Sequence, residues 1–141
     1  MAHQQQYELL LNGVAEWNEW RKQHSDTTID LSRSNLSHIN LTGINLTCAI
    51  LIHTNLSHAQ LKDANLSSSF LHCANLSHAD LSHADLNHAN LSSSNLSDAN
   101  LNDANLSYAD LDSANLTHTS LNHADLHGAM FKRIYRCKST S

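Results

Sequence analysis

Leucine returns at every fifth position through most of this chain. The column runs Leu31, Leu36, Leu41, Leu46, Leu51, Leu56, Leu61, Leu66, Leu71, Leu76, Leu81, Leu86, Leu91, Leu96, Leu101, Leu106, Leu111, Leu116, Leu121 and Leu126, and Phe131 closes it. No single regular element can bury such a column. On an α-helix, steps of about 100° per residue would wind the leucines around the axis instead of along one stripe. On a straight strand, an odd spacing sends successive leucines to opposite faces. The column becomes a core only if the chain turns a corner once per repeat, so that every leucine points at a common axis. The residue two before each leucine is small or modest in size, often alanine as at Ala49, Ala59 and Ala64 and otherwise Ile, Ser or Thr, and points inward with it. The position just before leucine, mostly Asn or Asp, and the two polar positions after it face water.

A second period says how many corners close a coil. The phrase SNLSH at residues 34–38 is echoed by TNLSH, ANLSH, SNLSD and ANLTH, which places Asn35, Asn55, Asn75, Asn95 and Asn115 in register. A shorter coil of three repeats breaks the histidines up, with His38 and His53 followed by Ser68. Four repeats per coil therefore stack like on like, and the strand-like pieces pair in parallel, ~4.8 Å apart. The stacked asparagines are expected to pass amide hydrogen bonds from coil to coil, as Asn ladders do in cross-β assemblies.

The tandem motif A-(D/N)-L-x-x resembles the pentapeptide-repeat proteins over residues 29–133. That resemblance implies an all-β solenoid, a right-handed quadrilateral parallel β-helix of about five coils and roughly 25 Å in length. The preceding stretch, LLNGVAEWNEWRKQH, resembles the N-terminal cap of bacterial, often cyanobacterial, members. Three segments follow: a helical cap at 1–28, the β-helix at 29–133 and a basic tail at 134–141. Solenoid ends need polar-faced caps. Residues 5–11 and 14–23 read as helices, with Val14, Trp17 and Arg21 on one face and Trp20 three residues beyond Trp17; at least one tryptophan is expected to cover the first coil. The other reading of the tryptophans is a ligand or partner site. At the far end, Ile134 and Tyr135 are expected either to fold over the last coil or to leave an open edge through which a homodimer could form.

Composition narrows the function. The net charge is −5, and the cations Lys132, Arg133, Arg136 and Lys138 gather at the C-terminal end, so the body offers neither nucleic acid nor an anionic membrane an obvious binding face. No apolar run reaches the ~20 residues needed to span a bilayer. The start MAHQQQYELL lacks the pattern of a signal peptide, and a cytoplasmic location is the expectation. Cys48, Cys73 and Cys137 form neither a disulfide framework nor a zinc ribbon, and the many N-x-[ST] sequons are by-products of the repeat. No cofactor motif is present. No Ser, His and Asp set stands out from what the repeat produces, and a convex rod offers no deep pocket, so the chain reads as no enzyme.

Three function classes remain. Stacked His38, His58, His78 and His118 are candidates for weak metal binding. The family resemblance also raises DNA mimicry, since some members imitate a duplex and inhibit or protect DNA gyrase; this chain departs from them in its modest charge and short rod. The favoured reading is a scaffold for an unidentified protein partner. Ile50 and Phe70 take the polar place before leucine, with Ile52 beside them, and the fold would push these outward as an apolar patch unless the N-terminal segment covers it.

Overall fold

The computed structural model describes residues 3–133. It opens with two helices, α1 (Gln4–Leu11) and α2 (Val14–Gln23), joined at Gly13, whose φ of 122° lies where side-chain-bearing residues rarely go. From residue 30 onward the chain coils, and residues twenty apart pair in parallel from Asp30 with Ile50 to Asp110 with Met130. Four such bridges per coil put one paired residue on each side. The expected register of four five-residue sides is the one observed.

One repeat explains the rest. Asn75 N–H donates to the Thr54 carbonyl of the coil before (3.0 Å), while Leu76 N–H and His78 N–H donate to the Asn95 and Ser97 carbonyls of the coil after (2.7 and 3.0 Å). Ala79 N–H closes a turn on the Leu76 carbonyl (3.1 Å). Ser77 N–H is the one left over, and the Asn75 side-chain Oδ1 accepts it at 3.0 Å. All five backbone donors are thereby satisfied, as buried or crowded peptide groups require. Proline is absent from the chain, and within the repeat every position needs its N–H.

The corner is a turn with positive φ at its third residue only, the type II signature. His78 sits there at φ 59°, and so do His38, His58, Cys73, Asp98 and Tyr108 in their own repeats; Gly43 and Gly128 fill two equivalent places. Left-handed backbone at a non-glycine residue costs on the order of 1–2 kcal/mol, so the turns are held by the stack and not by local preference.

The vertical Asn ladder is not what these side chains chiefly do. In the Asn35 column, one inter-coil amide bond is found among the described residues, from Asn55 Nδ2 to Asn35 Oδ1 at 3.3 Å. Each Oδ1 instead caps its own corner, taking the N–H two residues on and in most repeats the Ser or Thr hydroxyl there too, as from Ser57 to Asn55 at 2.8 Å; Ser97 gives Asn95 its N–H. The reach of a carboxamide favours the local partner over a coil that lies a full strand spacing away. Asp performs the same duty: Asp80 Oδ1 accepts from Ser82 N and Oγ at 3.0 and 2.7 Å.

The leucine column is the core. Leu31 through Leu111 are all but inaccessible, and the alanines between them are buried with them. Where Thr or Ser replaces alanine, its hydroxyl is spent on a backbone carbonyl, as for Thr54 on Leu31 (2.9 Å) and Ser69 on Leu66 (2.6 Å). The column fades at its end. Leu121 and Leu126 are half-buried, and Phe131, expected to close the core, is exposed at 40%. A leucine here is covered by the coils on either side of it, and among the described residues nothing follows the last coil. Ile134 and Tyr135 lie outside the described residues, as does the tail.

The other end is closed by side chains that imitate a missing coil. Trp17 is fully buried and its Nε1–H donates to the Asn45 carbonyl at 2.8 Å. Asn18 accepts from Asn45 N–H (2.8 Å) and donates to the Gly43 carbonyl (3.0 Å). Gln6 accepts from Asp30 N–H (2.9 Å), His3 N–H donates to the Asp30 carbonyl (2.7 Å) and Tyr7 to that of Asn35 (3.1 Å). Apart from the Gly43 carbonyl, these first-coil groups are the ones a preceding coil would otherwise have bonded. Val14 packs at the margin of the core, and Trp20 is partly exposed, stacked on His24 with ring centroids 4.7 Å apart.

Candidate protein-interaction surface

The side carrying Asp30, Ile50, Phe70, Asn90, Asp110 and Met130 is where the repeat breaks its own rule. Ile50 and Phe70 pair in the ladder like their polar counterparts. Neither has an oxygen with which to cap the next corner. Phe70 leaves 45% of its surface exposed, while Ile50 and Ile52 are half-buried. Two residues after Phe70, His72 Nδ1 is a buried polar atom without a partner. It occupies the place from which a serine hydroxyl bonds to asparagine in the standard repeat.

The expected alternatives, an open patch or one covered by the N-terminal segment, both hold in part. The linker that follows α2 runs alongside, and Ser25, Thr27 and Thr28 together with Ile29, Ile50 and Phe70 line a cleft of ≈ 360 Å³. Arg21, from the last turn of α2, lines it too. Sequence reasoning placed Arg21 on the helix face with Val14 and Trp17 but gave it no role at this patch. The signal that could have found it is the spacing of Arg21 one turn beyond Trp17. A second hollow, of ≈ 460 Å³, lies between α1 and Trp20 and is lined mainly by His3, Gln6, Leu9 and Thr27.

The histidines form ordered columns. His38, His58 and His78 stack with centroids 4.6 Å apart and rings within 4° of parallel. Loss of hydration in the stack, then the neighbouring charges of His38 and His78, holds the His58 imidazole below its ordinary value of 6.5. His118 does not continue the stack, because Asp98 intervenes: His78 Nε2 and His118 Nδ1 approach its two oxygens at 3.6 and 3.4 Å. On the next corner Asp103 sits likewise between His83 and His123, at 3.7 Å from each.

For metal chemistry the columns are poorly spaced. Tetrahedral zinc with Zn–N bonds of 2.0–2.1 Å brings two nitrogens to about 3.3 Å of each other. Rings stacked 4.6 Å apart would have to swing out of the ladder to meet that demand. Among the described residues no three His, Cys, Asp or Glu side chains converge to hold an ion. The described residues also contain no helix long and apolar enough to cross a membrane.

With this geometry in hand, comparison with known proteins is direct. The sequence profile described as pentapeptide repeats matches residues 29–63, 59–98 and 99–133, in 8 copies. Among solved structures, a pentapeptide repeat protein of Nostoc PCC 7120 is 40% identical, over 61% of this chain and 71% of its own, with a TM-score of 0.58. The pentapeptide repeat protein Rfr23 of the cyanobacterium Cyanothece 51142 is 28% identical over 85% of this chain and 97% of its own, with a TM-score of 0.47. One from the thylakoid lumen of Arabidopsis thaliana is 30% identical over 74% of this chain and 70% of its own, with a TM-score of 0.40. Among curated proteins none matches significantly. The repeat, its twenty-residue register and the profile match agree, and the chain belongs to the pentapeptide repeat family.

Proposed function

We propose that this chain is a non-enzymatic scaffold, a right-handed quadrilateral β-helix that docks a protein partner on the side bearing Ile50, Ile52 and Phe70. One observation carries the reading. At two successive rungs the chain gives up the oxygen that caps its corners and exposes an aromatic ring instead, beside a cleft. An apolar residue kept at a solvent-facing position, at the expense of a hydrogen bond, fits a contact made with something else. The gyrase-mimic reading gains nothing from the charge pattern, since Asp98 and Asp103 are each set between imidazoles and form no continuous acidic stripe.

The test is affinity capture from the source organism with the wild-type chain and with Phe70→Asn. The substitution restores the repeat consensus, so the coil should persist. Loss of a captured protein with an unchanged thermal melt supports docking. Unchanged capture, or a melt lowered by the substitution, places Phe70 among the packing residues and sinks the reading.

A further inference from the structure

In the cleft beside Phe70, Arg21 is a buried cation that forms no ion pair among the described residues. Arg21 is only 7% exposed. Its guanidinium donates from Nη1 to the carbonyls of His24 (3.1 Å) and Thr27 (3.4 Å) and from Nη2 to that of Thr47 (3.4 Å). Its Nε has no hydrogen-bond partner. Among the described residues no carboxylate lies within ion-pairing distance of it, although Asp26 lines the same cleft. Buried cations are ordinarily paired, because desolvating one without an anion is costly. Tying the linker to the first coil needs hydrogen-bond donors, but it does not need a full positive charge.

The walls of the cleft say what the missing anion is attached to. Ile29, Ile50 and Phe70 are apolar, Thr27 and Thr28 bring hydroxyls and peptide groups, and Asp26 brings a carboxylate that stays outside ion-pairing distance of Arg21. A phosphate would call for several cations or a row of free N–H donors, whereas one guanidinium opposite an apolar wall matches one carboxylate on an apolar body. The volume of ≈ 360 Å³ is near the lower limit for ligand sites and admits about one bulky residue. A C-terminal residue carries its carboxylate and its side chain on the same carbon, so both can enter so small a space.

We infer that the cleft captures the free C-terminus of a partner polypeptide that ends in an aromatic or branched aliphatic residue, the carboxylate toward Arg21 and the side chain against Phe70 and Ile50. This rests on the docking side proposed above and names what is docked there. Main-chain carboxylate capture is a known mode of peptide recognition.

The experiment is fluorescence anisotropy on the full chain with a dye-labelled Gly-Gly-Ser-Leu-Phe peptide, as the free acid and as the C-terminal amide. A third peptide, Gly-Gly-Ser-Asp-Phe amide, offers its carboxylate on a side chain. The free acid is expected to bind at least about tenfold more tightly than either amide, with affinity falling as salt rises. Ile50→Asn and Phe70→Asn restore the consensus and should weaken the free acid by about the same factor without shifting the melt. Putting the charge test on the peptide avoids disturbing Arg21, whose loss could loosen the cap. Equal binding of acid and amide, or no binding of the acid at millimolar peptide, overturns the inference; equal binding of the aspartyl amide overturns the C-terminal assignment. If the acid fails while Phe70→Asn still abolishes capture of a partner, the carboxylate inference falls alone and the docking side stands. If both fail, both are refuted.

Discussion

Replacing Asn75 by alanine removes one oxygen that serves two donors, Ser77 N–H at 3.0 Å and Ser77 Oγ–H at 2.7 Å. A net hydrogen bond in a protein contributes about 0.5–1.5 kcal/mol. Ser77 is half-buried, so water can replace part of what is lost. The expected cost is therefore about 1–2 kcal/mol, near that of deleting a helix N-cap, which uses the same side-chain-to-backbone chemistry. Asn75→Asp is the informative partner. It keeps the acceptor and discards only the amide donors, and its neighbours in the column are the uncharged Asn55 and Asn95. If the side chain is a corner cap, Asn75→Asp costs less than about 0.5 kcal/mol at neutral pH. If it is a rung in a vertical amide ladder, aspartate is as damaging as alanine. Urea unfolding followed by circular dichroism, with equal m-values required for the comparison, separates the two. Matching losses for Asp and Ala, or an alanine variant indistinguishable from wild type, would refute the corner-cap account.

Leu81→Ala, in a fully buried middle coil, is expected to cost about 2–5 kcal/mol, and Leu126→Ala clearly less because that side chain is already half-exposed; similar costs in urea melts would contradict the end-fading core. Leu81→Asp should abolish the cooperative melt altogether. Trp17→Phe keeps most of the packing but strands the Asn45 carbonyl, and a loss of about 1–2 kcal/mol is expected, against about 3–5 for Trp17→Ala. His58 should titrate below 6.5 by NMR, and its folded-state value should rise in His38→Gln or His78→Gln; because the unfolded chain then binds the proton more readily, the contribution of His58 to stability is present above about pH 6.5 and is lost as pH falls through the folded value. Calorimetry with Zn²⁺ is expected to give no micromolar site, and such a site abolished by His58→Ala would show that the rings do leave their ladder.

The scaffold was legible in the sequence because each repeat poses the same geometric demand. A leucine every five residues excludes helix and strand alike, and the echo of Asn35 at Asn55 and Asn75 counts the sides of the coil. Trp17 as a lid was legible for a similar reason, since an open stack of leucines requires one. The role of the asparagine oxygen was not. Spacing admits both a bond along the ladder and a bond to residue i+2, and only the distances choose the nearer donor. Phe131 continues the pattern perfectly and is still exposed, because burial depends on a neighbouring coil that periodicity cannot supply. His118 shares the spacing of His38, His58 and His78, yet it meets Asp98 and not a ring. Arg21 is the furthest case. Its sequence neighbours mark it as an ordinary cation near a helix end, where it would interact with the helix dipole. Its burial beside Phe70, with no carboxylate in ion-pairing range among the described residues, arises only from how α2 and its linker lie against coils that come much later in the chain. Local repetition determined the rod, and contacts between distant segments decided where the rod is uneven enough to bind something.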